Sequence, residues 1–444
     1  MSVAPEKNAR AGTQTPVGIR WSLGPRAAVV FGATITGTAV RFVVQIVLIR
    51  WLGTAAFGSF VFARQWGELL AKLPDRGYVL GTVRFIPRYL AAHDHRRHHG
   101  LLRRAIFGTV RSAIALAAIA ALIGFMLGHD TSLLVGFTLA IAISLAGLLR
   151  AALQGSHHYM SATVITELGQ PLLMSVGFAV LYWVGQLSVL TALGTVFTAW
   201  LLISGFQAQL LRTVTPPAVL ASDPKYEDEE WSRSTRQLFL AQLGIGVINI
   251  SDVLIVGITV GTVEAGIYAI ATRIAAIGRI ANAAVESLVS PQIAGAANDV
   301  TNRRATIQRT IDSAIRISIW PSLAFAIVAI ATAAPVLDFI GKDFAGGRDV
   351  LIILVIGNLA DAVSGPSGHV VSLVGSERTY ARIMLFNAFL LLAIGFPAGL
   401  IFGMVGVAVA RTVVNVSWNA ALFAVAKSKF DLWCLPSSRT LRFR

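Results

Sequence analysis

Apolar residues come in runs of about twenty along this chain, separated by short basic or glycine-containing breaks. A helix needs about 20 such residues to cross roughly 30 Å of hydrocarbon. On that ruler the runs predict spans over residues 27–49, 57–73, 105–127, 133–153, 163–184 and 187–211. A second set follows over 237–258, 266–289, 311–334, 350–374, 380–402 and 405–426. Period-two alternation, the mark of a transmembrane β-barrel, is absent. Helices of this length satisfy every backbone polar group within themselves, as lipid demands. The pattern therefore predicts an all-α integral membrane protein of about twelve spans. Residues 27–211 form a first six-helix bundle, 212–236 a polar linker with Pro216, Pro217 and the acids Glu227 to Glu230, and 237–426 a second bundle. Residues 1–26 and 427–444 are read as tails.

Composition strengthens this picture. The 444 residues are 55% hydrophobic and 13% charged, with mean hydropathy +0.70, against roughly 25% charge in soluble proteins. One cysteine, Cys434, excludes an intrachain disulfide framework. The net charge of +15 does not point to nucleic acid, because the basic residues lie between the apolar runs. Twenty-five Lys and Arg fall in the tails, the linker and the alternate loops on one side. Only Arg50, Lys342 and Arg348 fall on the other. Cytoplasmic loops carry the Lys/Arg excess, so both termini are expected to be cytoplasmic. A polar first 26 residues, with no small-residue cleavage site after the apolar run, argues against a cleaved signal peptide.

The chain also repeats itself. Shifted by 208 residues, the stretch from Gly53 to Phe60 falls on that from Gly261 to Tyr268, each between an apolar span and a polar-spotted one. Further on, Leu153-Gln154-Gly155-Ser156 parallels Leu373-Val374-Gly375-Ser376. Six spans, a linker and six spans again is the plan of transporters built from two parallel repeats.

At these positions the sequence resembles a known family. LGTAAFGSFVFA, VGTVEAGIYAIA and the late stretch with Gly375-Ser376-Glu377-Arg378 and Gly403-Met404-Val405-Gly406 are similar to Wzx-like polysaccharide flippases of the MOP superfamily. The resemblance runs from about residue 26 to 427. It implies two pseudo-symmetric six-helix bundles around a central cavity, in a MOP/MATE-like fold that rocks between inward- and outward-open states. It implies as cargo an undecaprenyl-diphosphate-linked oligosaccharide, moved across the bacterial cytoplasmic membrane for O-antigen, capsule or exopolysaccharide assembly. Membrane lipids, a polysaccharide polymerase and glycosyltransferases of the same pathway are the implied partners. The alternatives are a MATE-like cation-coupled drug antiporter and a lipid II flippase, the latter carrying two further carboxy-terminal spans.

Charge inside a span is expensive and tends to face a bundle interior or a wet cavity. Arg41, Arg64, Arg273 and Arg411 sit well inside their predicted spans. Arg matches phosphate oxygens with a fork of donors, so these four are the candidate cargo-binding cations. Arg64 and Arg273 fall one residue apart under the 208 shift. Arg279, Glu286, Asp252, Asp361 and Asn415 are weaker candidates for cavity lining or for H⁺ or Na⁺ coupling, with Glu167 a further coupling candidate. Each acid equally suits a counter-ion role. Arg64, Glu68 and Lys72 are spaced to pair along one helix face, as are Asp312 and Arg316. The stripes Arg411, Asn415, Asn419 and Arg279, Asn282, Glu286 suit either a sugar-binding wall or interhelical bonds.

The segment His93 to His99 lacks cysteine and fixed spacing, so contact with anionic lipid headgroups is expected there rather than a metal. Pro171, Pro321, Pro366 and Pro397 are expected kinks. No phosphate-binding GxxxxGK[ST] loop, HExxH or GxSxG occurs, and no cofactor and no enzymatic activity are expected. A membrane glycosyltransferase or polymerase would call for a large extracytoplasmic loop, and the longest here is the short one around 338–349.

Overall fold

The computed structural model describes residues 25–296, 303–373 and 377–436. The amino-terminal tail before residue 25, the end of the carboxy-terminal tail, and Val374, Gly375 and Ser376 of the second repeat match lie outside the described residues. Every regular element described is helical. The first half holds α1 (Pro25–Leu52), α2 (Thr54–Leu70), α3 (Tyr78–Ala91), α4 (His95–Met126) and α5 (Thr131–Gly155). It continues with α6 (Tyr159–Val164), a π-helical turn Ile165–Gly169, α7 (Gln170–Trp183), α8 (Val189–Val214) and the short α9 (Pro217–Leu220). The second half holds α10 (Asp228–Thr259), α11 (Thr262–Ile277), α12 (Arg279–Ala296), α13 (Arg303–Ala331), α14 (Ala333–Ile340), α15 (Arg348–Ser364), α16 (Ser367–Leu373) and α17 (Glu377–Phe430).

Eight described helices are long and apolar enough to cross a membrane, with α15 and α16 forming a further span bent by 51°. The bend falls at Gly365, whose φ of 54° suits glycine, and at the expected Pro366. The 54 residues of α17 are two helices broken at Gly403, φ 61°. Ala398 and Gly399 pack back on Gly406 and Val407, so the two arms form a hairpin at the predicted gap between 402 and 405. With 17 and 16 residues, α2 and α11 fall short of a full span, and each is followed by a second helix, α3 or α12. The main departure from the predicted boundaries is that the eighth span is built from two helices, α11 and α12, whereas α3 lies beyond the second span, in the basic segment. Large apolar side chains such as Trp183, Phe107, Phe389 and Leu400 point outward, as a lipid-facing surface requires and a soluble one would not tolerate in such number.

The repeated motif marks where the halves meet. Gly53 and Gly261, both at positive φ, stand at the amino-terminal ends of α2 and α11. Five residues further on, Gly58 and Gly266 face each other. A Cβ on Gly58 would lie 2.2 Å from the Thr262 carbonyl oxygen, and one on Gly266 2.9 Å from Gly58 Cα. Only glycine allows two helix backbones this close. Phe57, Phe60 and Tyr268 are fully buried around the crossing, in one apolar core that takes in both halves.

The acidic linker is strapped to the basic segment of the first half. Arg88 pairs with Glu230 at 2.8 Å, Arg97 with Glu227 at 3.1 Å and Arg104 with Asp228 at 2.9 Å. Lys225 and Arg97 together hold the Glu227 carboxyl below its usual range. Beneath these pairs the buried Trp231 Nε1 donates to Tyr89 Oη at 2.8 Å. His99 Nδ1 lies 2.6 Å from the Ser222 carbonyl oxygen, and His98 is buried. Much of the basic segment expected at lipid headgroups is thus engaged by the chain's own acids.

Candidate functional site

Three of the four leading candidates converge. Arg41 on α1, Arg64 on α2 and Arg273 on α11 line one narrow crevice with Gln45, Gln170 and Phe60. A second cavity of about 180 Å³ shares Gln45, Arg64 and Arg273 and is closed by Glu68 and Asn249. Their meeting follows from the crossing: Arg64 lies six residues beyond Gly58 and Arg273 seven beyond Gly266 on helices running the same way. At 1.5 Å per residue both lie about 10 Å from the glycine contact.

The fifth predicted span supplies the other wall. Pro171 has no N–H for the Glu167 carbonyl four residues earlier, and its ring would clash there. The helix widens into its π turn over Ile165–Gly169. The freed Glu167 carbonyl seats against Gly37, where a Cβ would lie 2.0 Å away. That approach brings α1 onto the turn: Arg41 Nη2 meets Glu167 Oε2 at 2.9 Å, and Arg41 Nε donates to Gln170 Oε1 at 3.4 Å. The other Glu167 oxygen takes Arg150 at 3.2 Å. Arg64 pairs with Glu68 at 2.8 Å, the predicted helix-face pair. Lys72 does not join them, because α2 ends at Leu70 and Lys72 lies against Gly246 of α10. Arg273 has no carboxylate within 4.0 Å among the described residues.

Counting Arg150 behind Glu167, four guanidiniums therefore share two carboxylates, and the cluster around the crevice keeps an excess of two positive charges. Charge of that kind in a low-dielectric wall attracts an anion with several acceptor oxygens. One turn along α1 from Arg41, a cavity of about 900 Å³ is lined by Thr34, Thr38, His157, Tyr159 and Ile280.

Arg411 and the weaker candidates lie elsewhere. Arg411 donates to the Ile248 carbonyl and to Asn249 Oδ1, stands 3.8 Å from the buried Asp252 carboxylate, and lies over the Trp418 ring. Arg279 pairs with Asp361 at 3.2 Å, and Asn419 donates to the same carboxylate at 2.8 Å. Asn415 donates to the Gly357 carbonyl at 2.9 Å, and Asn282 accepts from Ser322 at 3.1 Å. Glu286 faces the charges of Asp361 and Arg279. Both polar stripes thus make interhelical bonds. In the ninth predicted span Asp312 accepts from Gln308 at 2.9 Å and does not pair with Arg316 among the described residues. Gln45, Gln170 and Arg150 were not anticipated. The glutamines carry no charge to stand out in an apolar run, whereas Arg150 inside 133–153 was a readable signal.

The all-helical fold, with its cationic crevice between the halves, is similar to that of several solved membrane transporters. The chain is similar over 90% of its length to 88% of the lipid II flippase MurJ in an inward closed conformation, with TM-score 0.70 and 12% identity. It is similar to an inward-facing MATE-family multidrug resistance transporter, TM-score 0.62 and 14% identity, covering 92% of this chain and 97% of that one. A MOP superfamily transporter from Pyrococcus furiosus, described by the reverse polarity of its binding pocket, matches with TM-score 0.64 and 14% identity over 91% and 95% of the two chains. No curated protein matches the chain. The family described as polysaccharide biosynthesis protein matches residues 25–294, and the chain belongs to that family.

Proposed function

We propose that this protein is a flippase that carries a polyprenyl-diphosphate-linked oligosaccharide across the bacterial cytoplasmic membrane by alternating access. The observation that carries the reading is the charge excess of the crevice, above all Arg273, which among the described residues forms no ion pair and shares its cavity only with the Glu68 that Arg64 already holds. A diphosphate leaving water needs cations that are not already neutralised, and guanidinium forks fit its oxygens. Arg41 and Arg64, held by Glu167 and Glu68, orient around the headgroup while Arg273 supplies free charge. The 900 Å³ cavity one turn away has room for sugars, with the lipid tail outside in the bilayer. Membership of the polysaccharide biosynthesis family supports the cargo class. The basic excess on one side supports cytoplasmic termini.

The test is export in cells lacking the chromosomal copy. With wild-type protein surface glycan is restored. With Arg64→Ala or Arg273→Ala it is lost, and finished oligosaccharide on its carrier accumulates at the cytoplasmic face. Unchanged export in both single variants and the double overturns the clamp. A cation antiporter is the second reading, favoured by the likeness to MATE-family structures. The Arg-rich crevice opposes it, since a cationic drug wants carboxylates. Altered drug tolerance with normal glycan would select it.

A further inference from the structure

A groove on the outer face of the first half is separate from the crevice. It runs between the first turns of α4, the last turns of α5 and the second half of α8, with a volume of about 720 Å³. Its walls are apolar, and Phe107 and Leu201 on them are 66% and 40% exposed. Gly205 opens its floor, with nothing within 4 Å of where a Cβ would stand. From Leu201 to Arg212 the groove follows eleven residues of helix, about 16 Å at 1.5 Å per residue. That matches half of the roughly 30 Å hydrocarbon core, one leaflet's depth.

Charge marks one end of the groove only. Arg103 and Arg212 stand at its rim, both exposed. Three of the linker acids are already committed, Glu227 to Arg97 and Lys225, Asp228 to Arg104 and Glu230 to Arg88, and the other two, Asp223 and Glu229, form no ion pair with either rim arginine among the described residues. Among the described residues Arg103 and Arg212 make no ion pair with any carboxylate. The geometry points to a binding site for an anionic glycerophospholipid of the adjacent leaflet. Its phosphate sits between Arg103 and Arg212, and one acyl chain lies along Phe107, Leu201 and Gly205. Two unneutralised cations at the headgroup level with an apolar trough of one-leaflet depth below them are complementary to that molecule. The site does not depend on which cargo the crevice carries.

The test uses the full-length protein purified in detergent, with phosphatidylglycerol or phosphatidylcholine of matched chains added and bound lipid counted by native mass spectrometry. Wild type is expected to retain phosphatidylglycerol about fivefold over phosphatidylcholine. Arg103→Gln with Arg212→Gln removes that preference, and both side chains are exposed, so folding is not at stake. The paired Lys variants keep it. Gly205→Leu, which fills the trough, lowers retention of both lipids. Equal retention by wild type, an unchanged preference in the Gln pair, or displacement of phosphatidylglycerol by equimolar polyprenyl phosphate overturns the proposal.

Discussion

Two sets of arginines lie inside this protein, and they differ in what faces them. At the crevice, Arg41, Arg64 and Arg273, with Arg150 behind Glu167, share only Glu167 and Glu68. In the second half, Arg411 has Asp252, and Arg279 has Asp361 with Glu286 facing both, at least one acid to each, with Asn249 and Asn419 filling further bonds. A buried ion pair at one-to-one ratio is finished chemistry: it holds helices in register and offers nothing to a passing anion. A cluster short of counter-ions is unfinished until an anion arrives. The number of arginines in spans is thus a poor guide to a binding site, and the ratio to acids in contact is a better one.

The comparison predicts opposite outcomes for charge removal. Asp252→Ala leaves Arg411 buried beside α10 with its charge unmatched, and unfolding stability should fall by about 3–5 kcal/mol. Thermal unfolding of the purified protein reads this directly, and Asp252→Leu combined with Arg411→Met should recover most of the loss. Arg273→Leu orphans no acid, because Glu68 in the same cavity keeps Arg64 as its partner. Its stability should stay within about 0.5 kcal/mol of wild type, while export falls as argued above. A comparable loss of stability in both variants would erase the distinction between the two regions.

Glu68→Gln sharpens the same contrast from the acid side. It frees Arg64 and raises the crevice's positive excess from two to three, since Arg64 and Glu68 pair at 2.8 Å. Pyrophosphate, used as a soluble probe of the headgroup, should then bind roughly tenfold more tightly, in keeping with about 1.4 kcal/mol for one further charge-assisted contact. Calorimetric titration checks it, and weaker binding would mean that Glu68 positions Arg64 rather than competing for it.

At the glycine crossing the expected effect falls between those of Asp252→Ala and Glu68→Gln. Gly58→Ala puts a methyl 2.2 Å from the Thr262 carbonyl, against backbone that cannot swing aside. Parting α2 from α11 should cost about 2 kcal/mol and carry Arg64 away from Arg273, so stability and export fall together. Loss of stability with full export would separate the crossing from the crevice.

How much of this the sequence revealed depends on the residue. Gly53 and Gly261 were readable, because a repeated glycine turn between apolar runs has few physical explanations. Arg64 and Arg273 were readable as charges in spans at near-equivalent repeat positions. The Asp252–Arg411 pair was not, since its members lie 159 residues apart and only tertiary packing brings them within 3.8 Å. The role of Pro171 was half legible: a kink was expected, but not that the freed Glu167 carbonyl would seat in the gap left by Gly37 and turn its carboxylate to Arg41. The linker strap escaped because blocks of like charge read equally well as solvated surface until the opposite block is placed beside them.

That strap supplies the smallest predicted effect and a control for the arginine comparison. Its ion pairs are exposed or half-exposed and each adds little. Its anchor is different: Trp231, 2% exposed, gives its only side-chain donor to the buried Tyr89 hydroxyl. Tyr89→Phe keeps the ring and its packing against Phe85 but leaves the indole N–H without an acceptor. A buried donor left unsatisfied costs about 1 kcal/mol or somewhat more. Stability should drop by that amount, hydrogen exchange at the start of α10 should quicken, and pyrophosphate binding should not change, because no crevice residue touches the strap. If binding changes as well, the linker strap and the crevice are coupled through α10, whose Asn249 lies on the crevice wall. Charge balance inside the crevice would then be only part of what sets its affinity.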